Sequence, residues 1–148
     1  MKIEIMKNEH ISSVAAIQKQ VFGTENAEKT LKKELENKIS VYFAAVEEEA
    51  VIGYIGMWNI CGEGDIISLA VREDCRRMGM ATILMDALVS FCRRNEVHAL
   101  NLEVRESNSP ARAFYKKYGF KETGERKRYY EGKETAVLMR LDIGKTED

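Results

Sequence analysis

The chain has 148 residues, 32% of them charged, and a formal net charge of −1 at pH 7. That length suits one domain with a sizeable core, and so small a net charge excludes a global field directed at DNA or at a membrane surface. The N-terminal stretch MKIEIMKNEH is too charged for a secretion signal, and the longest apolar runs, such as VIGYIGMWNI, are strand-length and far short of a membrane span. With a single proline, Pro110, and no low-complexity run there is no linker, so residues 1–148 are read as one domain. Cys61, Cys75 and Cys92 lack a Cys-x-x-Cys pair. They are expected to be free, structurally buried thiols in a reducing cytoplasm. His10 and His98 are isolated, without the spacing of a metal site, and are expected at the surface.

In chain order, KIEIM alternates and predicts a first strand. Residues 9–21, EHISSVAAIQKQV, carry apolar positions at helical spacing until Gly23 breaks the pattern, and AEKTLKKELE (27–36) predicts a second, more polar helix. SVYFAAVEE and VIGYIGMWNI predict an antiparallel hairpin across a tight EEA turn. Gly53 and Gly56 in its second arm suggest a bulge or a close contact. GEGD is expected to be the next turn. IISLAV then follows as a nearly continuous apolar strand, expected to be central and covered on both faces. Ile83, Leu84, Ala87, Leu88 and Phe91 keep helical period from Met78 to Arg94, and ALNLEV is a further apolar strand. Strand, helix and strand form a βαβ unit, so IISLAV and ALNLEV should be parallel neighbours. Ser109 and Pro110 are expected as N-cap and first residue of a helix that Gly119 ends. FKETGERKRYY and TAVLMRLDI close the chain as two strands around EGKE. The fold class is α+β: a mixed, mainly antiparallel sheet with helices on both faces.

The stretch CRRMGMA, Cys75–Ala81, stands where a strand ends at Val71 and a helix begins near Gly79. Unpaired N–H groups and the positive end of the helix dipole meet there. Small residues at Gly79 and Ala81 would let a ligand approach the backbone, and Arg76 and Arg77 add full charge. The pattern reads as a diphosphate cradle, or as a plain helix start with solvated arginines. It is neither a nucleotide P-loop, since no Gly-Lys-Ser/Thr follows, nor a three-glycine dinucleotide fingerprint.

Arg76-x-x-Gly79-x-Ala81 after a strand and a short acidic loop resembles the acetyl-CoA motif of the GNAT N-acetyltransferase superfamily. NSPARAFYKKYGF resembles that superfamily's second block, with Asn108, Ala111, Tyr115, Gly119 and Phe120 in register. The resemblance covers nearly the whole chain and implies acetyl-CoA as co-substrate. By that analogy the backbone of Leu69, Ala70 and Val71 pairs with the pantetheine arm. The amides of Arg77, Met78, Gly79, Met80, Ala81 and Thr82 hold the pyrophosphate beside Arg76, and Asn108 binds the cofactor further along. LEVRESN, AFYKKYGF and ERKRYYEGKETAVLM resemble, within the superfamily, the ribosomal-protein-alanine N-acetyltransferases. The implied acceptor is a protein N-terminus, most simply an alanine on a small-subunit ribosomal protein, with no membrane and no direct nucleic acid required. One departure concerns the acceptor. Many such enzymes carry a Pro-Trp pair between the first two helices, where this chain reads VFGTENAEKT.

Acetyl transfer from a thioester needs a neutral amine, a held oxyanion and a protonated leaving thiolate. An α-amine titrates near 7.7–8.0 and a lysine near 10.4, so the terminal amine is easier to deprotonate by roughly 3 kcal/mol. Glu103 ends an apolar strand where an acid has no packing reason to sit, and reads either as the base, direct or through water, or as a solvated edge residue. Tyr115 reads as the acid for the thiolate or as a core aromatic. A backbone N–H, with Val71 as the candidate, would hold the oxyanion. Tyr129 and Tyr130 could wall an acceptor groove, with the Val21–Ala27 loop as its other wall, or pack as a strand pair. The late basic cluster from Lys116 to Arg128 reads as a solvated face, a site for the CoA ribose phosphate or a surface toward ribosomal RNA. No Cys–His arrangement supports an acyl-cysteine. Two rival functions stay open. One is a small-amine or antibiotic acetyltransferase using the acids Glu25, Glu28, Glu34 and Glu36; the other is a non-catalytic acetyl-CoA sensor.

Overall fold

The computed structural model describes residues 1–130, 132 and 134–144, with residues 128–130 described by their backbone alone. Among the described residues the strands are β1 (Lys2–Ile5), β2 (Ser40–Glu47), β3 (Ala50–Ile60), β4 (Glu63–Val71), β5 (Ala99–Arg105), β6 (Lys121–Tyr130) and β7 (Glu134–Asp142). The helices are α1 (Ile11–Phe22), α2 (Ala27–Glu36), α3 (Met80–Arg94) and α4 (Ser109–Tyr118). One sheet runs in the order β1-β2-β3-β4-β5-β7-β6. The β4–β5 pair is parallel, as the βαβ reading requires, and the other pairs are antiparallel.

Alternation along the strands sorts side chains onto two helical layers. Tyr42, Ala44 and Tyr54 face α1 and α2, with Val14, Ile17 and Leu31. Phe43, Ala45, Ile55 and Met57 face α3, with Leu84, Met85 and Leu88. The predicted hairpin is present, its turn made by Glu48 and Glu49, both at positive φ (47° and 67°). That pair of left-handed residues is the geometry that lets a two-residue turn follow strand twist. Gly23 ends α1 in the left-handed region at φ 69°. Gly56 owes its place to contact: a Cβ there would lie 2.3 Å from the Tyr42 ring.

Several expectations are corrected. GEGD is not a turn; Cys61 and Gly62 turn the chain at positive φ, and β4 already begins at Glu63. Ser109 is not the N-cap of α4. Asn108 is, its Oδ1 accepting from the Ala111 N–H at 3.3 Å, which moves Pro110 one place inward. His10 is buried rather than at the surface, because its Nδ1 accepts from the Lys7 N–H at 2.9 Å and closes the turn before α1. Cys75 and Cys92 are buried, but Cys61 is exposed on its turn. Burial pushes the Cys92 thiol up to about 12.

The correction that matters most concerns β4, which is central in order but not covered on both faces: Ile67 is exposed, and Ile66, Ser68 and Leu69 are half-buried. The register explains this. β4 pairs with β5 only over Glu63–Asp65 and Ala99–Asn101. Beyond that point β4 stays with β3 and β5 stays with β7 through Arg105. Ile67 is the extra residue of a bulge, since Ser68 opposes Gly56 and Ile66 opposes Met57. A bulge bends its strand, and here it sits where the two strands part. At the closed end, Arg140 bonds both carboxylate oxygens of Glu63 (2.6 and 3.2 Å) and the Asn101 carbonyl oxygen (3.2 Å). The hydrogen bond from Arg140, first, holds the Glu63 carboxyl below its ordinary range.

Candidate active site

Between the diverging strands is a wedge whose facing backbone groups, on β4 beyond Asp65 and on β5 from Leu102 to Val104, have no ladder partner among the described residues. The Arg72 N–H donates to the Ile52 carbonyl at 2.8 Å, so Ile52 and Arg72 form a hydrogen-bonded pair. Antiparallel alternation then makes Gly53–Val71 and Ile55–Leu69 non-bonded pairs. The N–H and C=O groups of Leu69 and Val71 therefore turn away from β3, into the wedge. Ala70 bonds toward β3, and its side chain is buried under α1. Of the three predicted strand residues, Leu69 and Val71 offer backbone to a ligand and Ala70 supplies packing.

The loop after β4 ends at Gly79, the N-cap of α3, at φ 73°, with no side-chain cap on the helix. The first-turn N–H groups, those of Met80, Ala81 and Thr82, thus lack intrahelical acceptors. A Cβ at Gly79 would meet nothing within 4 Å, so the space in front of the helix is open. Arg77 also holds a positive φ (65°) without being glycine, the kind of backbone strain that clusters at ligand sites. Arg76, Arg77, Met78 and Thr82 are exposed, Ala81 is half-buried and the Met80 side chain is buried, leaving only its backbone to the loop. The Arg76 Nε donates to the Val71 carbonyl at 3.3 Å, tying the loop to the strand end. Open strand edge, uncapped helix and empty approach fit the pantetheine and diphosphate of a coenzyme A thioester.

A cavity of about 440 Å³ at the mouth of the wedge brings together Glu103 from β5, Tyr115 from α4 and Asn108 from its N-cap, Leu69 from β4 and Phe22 from the end of α1. A second cavity, of about 530 Å³, shares Ile66, Ile67, Leu102 and Glu103 with the first and adds Asp65, Asn101, Thr123 and Arg126. Glu103 thus stands between two approaches to one point. Its Oε1 lies 3.2 Å from Arg126 Nε. Arg126, on β6, opposes Ala136, and Glu103, on β5, opposes Leu138. The small Ala136 side chain leaves room for Arg126 to cross β7. Tyr115 sits in an aromatic group with Phe114 (5.4 Å) and Phe120 (5.5 Å), and burial pushes its phenol up to about 12.

Tyr129 and Tyr130 fall at the end of β6, and their side chains lie outside the described residues. The sequence reading put one wall of the acceptor groove at the Val21–Ala27 loop without singling out Phe22, an exposed aromatic at the cleft mouth; the signal was an unpaired Phe just before the helix-ending Gly23. It also passed over Arg126, grouped with the basic cluster although it pairs with Glu103. Within that cluster Lys116 engages Glu122 (3.3 Å), which also pairs with Arg112 (2.7 Å), outside the cluster on the same helix.

The site is thus a split β4–β5 pair with an uncapped helix start at its mouth. The family model described as the acetyltransferase (GNAT) family matches residues 9–120, and the chain belongs to that family. It is an acetyl-CoA-dependent N-acetyltransferase. A Bacillus subtilis protein provisionally named a ribosomal protein bS18-alanine N-acetyltransferase is 33% identical over 110 residues, 74% of this chain and 73% of that one. The crystal structure of the ribosomal-protein-S18-alanine N-acetyltransferase from Escherichia coli superposes with a TM-score of 0.88 at 25% identity, over 99% of this chain and 96% of that one. An aminoglycoside 6'-N-acetyltransferase complexed with coenzyme A superposes with a TM-score of 0.89 over the full length of both chains. At 15% identity it shares the fold alone. Among the described residues no helix is long and apolar enough to cross a membrane.

Proposed function

We propose that this enzyme acetylates the α-amine of a protein N-terminus, with alanine on a small-subunit ribosomal protein as the favoured acceptor, in the cytoplasm. The observation that carries the reading is the placement of Glu103 at the junction of two cavities, one holding Tyr115 and the mouth of the wedge, the other open to an acceptor. Acetyl-CoA, when bound, supplies the activated acetyl group. Leu69 and Val71 then extend their strand edge along the pantetheine, the Val71 carbonyl already accepting from Arg76, and the first turn of α3 with Arg76 and Arg77 faces the diphosphate. Asn108 keeps its side-chain amide nitrogen for the cofactor, its oxygen being committed to the α4 cap. Glu103 takes the proton from the attacking amine, directly or through water, and the Val71 N–H holds the oxyanion. The Tyr115 hydroxyl donates a hydrogen bond to the departing sulfur, which leaves as a thiolate while the amine proton rests on Glu103. Alignment of the two substrates on these fixed edges supplies much of the rate, without a covalent enzyme intermediate.

The names of the relatives support the protein N-terminus. Glu25, Glu28, Glu34 and Glu36, the acids that a polycation-acetylating enzyme would draw on, support it too, since none of them lines either cavity at Glu103. Glu34 is held by Ser40 (2.7 Å) and Trp58 (2.8 Å). Glu25 and Glu28 line a separate groove with Lys19, Lys29 and Lys32. Phe22 stands where the Pro-Trp pair is missing and, with Tyr129 and Tyr130, would wall the acceptor. The test compares a free-Ala peptide, the same peptide blocked at its N-terminus with an internal lysine, and small polyamines. A kcat/KM at least about tenfold higher for the free-Ala peptide, roughly 1.4 kcal/mol of transition-state discrimination, is expected. The reverse order would sink the N-terminal reading and leave the acetyl-CoA chemistry standing.

A further inference from the structure

α3 and α4 flank the cofactor path. The first presents its uncapped N-terminus and the second carries Tyr115. None of the α4 residues is fully buried, but Ala111, Phe114, Tyr115 and Tyr118 pack half-buried against the core, so one face of the helix is anchored and its ends are set by polar contacts. At its outer side Arg112 and Lys116 reach Glu122 on β6. At its C-terminal end the Tyr118 hydroxyl donates to Asp86 Oδ1, in the second turn of α3, at 2.6 Å. Tyr118 and Tyr115 are three residues apart on one side of the helix. Their rings belong to one group, with Phe114 6.3 Å from Tyr118 and Phe120 6.3 Å from Tyr118 and 5.5 Å from Tyr115. A restraint on Tyr118 therefore fixes both the rotation of the last turn of α4 and its distance from α3.

We propose that the Tyr118–Asp86 hydrogen bond is a positioning device for Tyr115, which locks the acid against the helix that holds the diphosphate. The inference rests on the role given to Tyr115 above. It assigns Tyr118 no contact with either substrate. Its effect is on where the Tyr115 hydroxyl stands relative to a cofactor anchored on α3. A misplacement on the scale of an ångström is enough to slow a reaction by orders of magnitude. Burial, first, and the Asp86 carboxylate both hold the Tyr118 phenol protonated well above its ordinary range, so the donor is present at any working pH.

The experiment is a double-mutant cycle with acetyl-CoA and the free-Ala peptide, using Tyr118→Phe, Asp86→Ala, Asp86→Asn and Tyr115→Phe. Tyr118→Phe keeps the ring and removes only the hydroxyl. It and Asp86→Ala should each lower kcat by about fivefold or more, with the acetyl-CoA KM held within about threefold, while Asp86→Asn, which keeps an acceptor oxygen, should stay within about twofold of the parent. In the Tyr115→Phe background, Tyr118→Phe should change kcat by less than about twofold, because the group it positions is gone. A parent-like Tyr118→Phe, or a loss that multiplies in full with that of Tyr115→Phe, overturns the proposal. If Tyr115→Phe is slow and Tyr118→Phe is not, only this inference falls. If Tyr115→Phe itself turns over like the parent, the acid role falls first and takes the inference with it.

Discussion

Replacing Tyr115 by Phe isolates one hydroxyl in a site whose packing survives. The ring contacts with Phe114 and Phe120, at 5.4 and 5.5 Å, are carbon contacts that Phe retains. Burial pushes the Tyr115 phenol up to about 12, whereas a thiol ordinarily titrates near 8.5. Complete proton transfer from this phenol to a thiolate in the cleft is therefore uphill by about 5 kcal/mol. The hydroxyl does better as a charge-assisted donor to sulfur as negative charge develops, and such a bond contributes about 1.5–3 kcal/mol. Its removal should lower kcat by about 10- to 150-fold, with acetyl-CoA affinity and thermal stability nearly unchanged. Because the phenol stays protonated far above neutrality, the ratio of parent to variant kcat should be flat from pH 6.5 to 9. Single-turnover acetylation of a free-Ala peptide, quenched and read by mass spectrometry, measures the chemical step without interference from product release or from the exposed Cys61 thiol. A ratio below about threefold, or one that collapses between pH 8 and 9, would refute the reasoning.

Three further outcomes follow from the geometry. Gly79→Glu places a carboxylate in the open space before α3 and a side chain at φ 73°; coenzyme A affinity by calorimetry should fall at least about 100-fold for a backbone cost near 1 kcal/mol, and unchanged affinity in the folded variant would dismiss the cradle. Gly56→Ala drives a Cβ to 2.3 Å from a Tyr42 ring that is itself stacked on Tyr54; about 3 kcal/mol of destabilisation, read as a fall in Tm of roughly 6–12 °C, is expected, and a Tm within about 2 °C of the parent would mean the ring yields freely. Burial raises the phenols of Tyr42, Tyr54 and Tyr115 above their ordinary value, so the folded chain keeps protons that the unfolded chain releases from about pH 10. Stability should hold below that pH and fall as pH climbs through the folded-state values, with Tyr115 alone costing about 1 kcal/mol at pH 11; an unchanged urea midpoint between pH 8 and 11 would contradict it.

What the sequence by itself determined is what depends on neighbours along the chain. Period-two and helical spacing located the strands and helices, with α2 falling on the predicted residues 27–36. Gly23 and Gly119 marked helix ends, and the Arg76-x-x-Gly79-x-Ala81 spacing marked the uncapped start of α3. Those features are written in φ, in side-chain volume and in local hydrogen bonding, so a short window carries them. Only the tertiary structure decided the rest. That β4 leaves β5 after Asp65 depends on a bulge at Ile67 and on β5 choosing β7, pairings between segments far apart in sequence. IISLAV reads as a fully covered strand because nothing in its six residues records the loss of a neighbour on one side. Arg126 reads as solvated until β6 and β7 align it with Ala136, and from there it reaches Glu103. The Val21–Ala27 loop reads as an acceptor wall, but which of its residues serves is decided only when the fold brings Phe22 to the mouth of the wedge, beside Tyr115. Strand register is a choice among many near-equal pairings, made by burial over the whole sheet, and the cleft exists only once that choice is made.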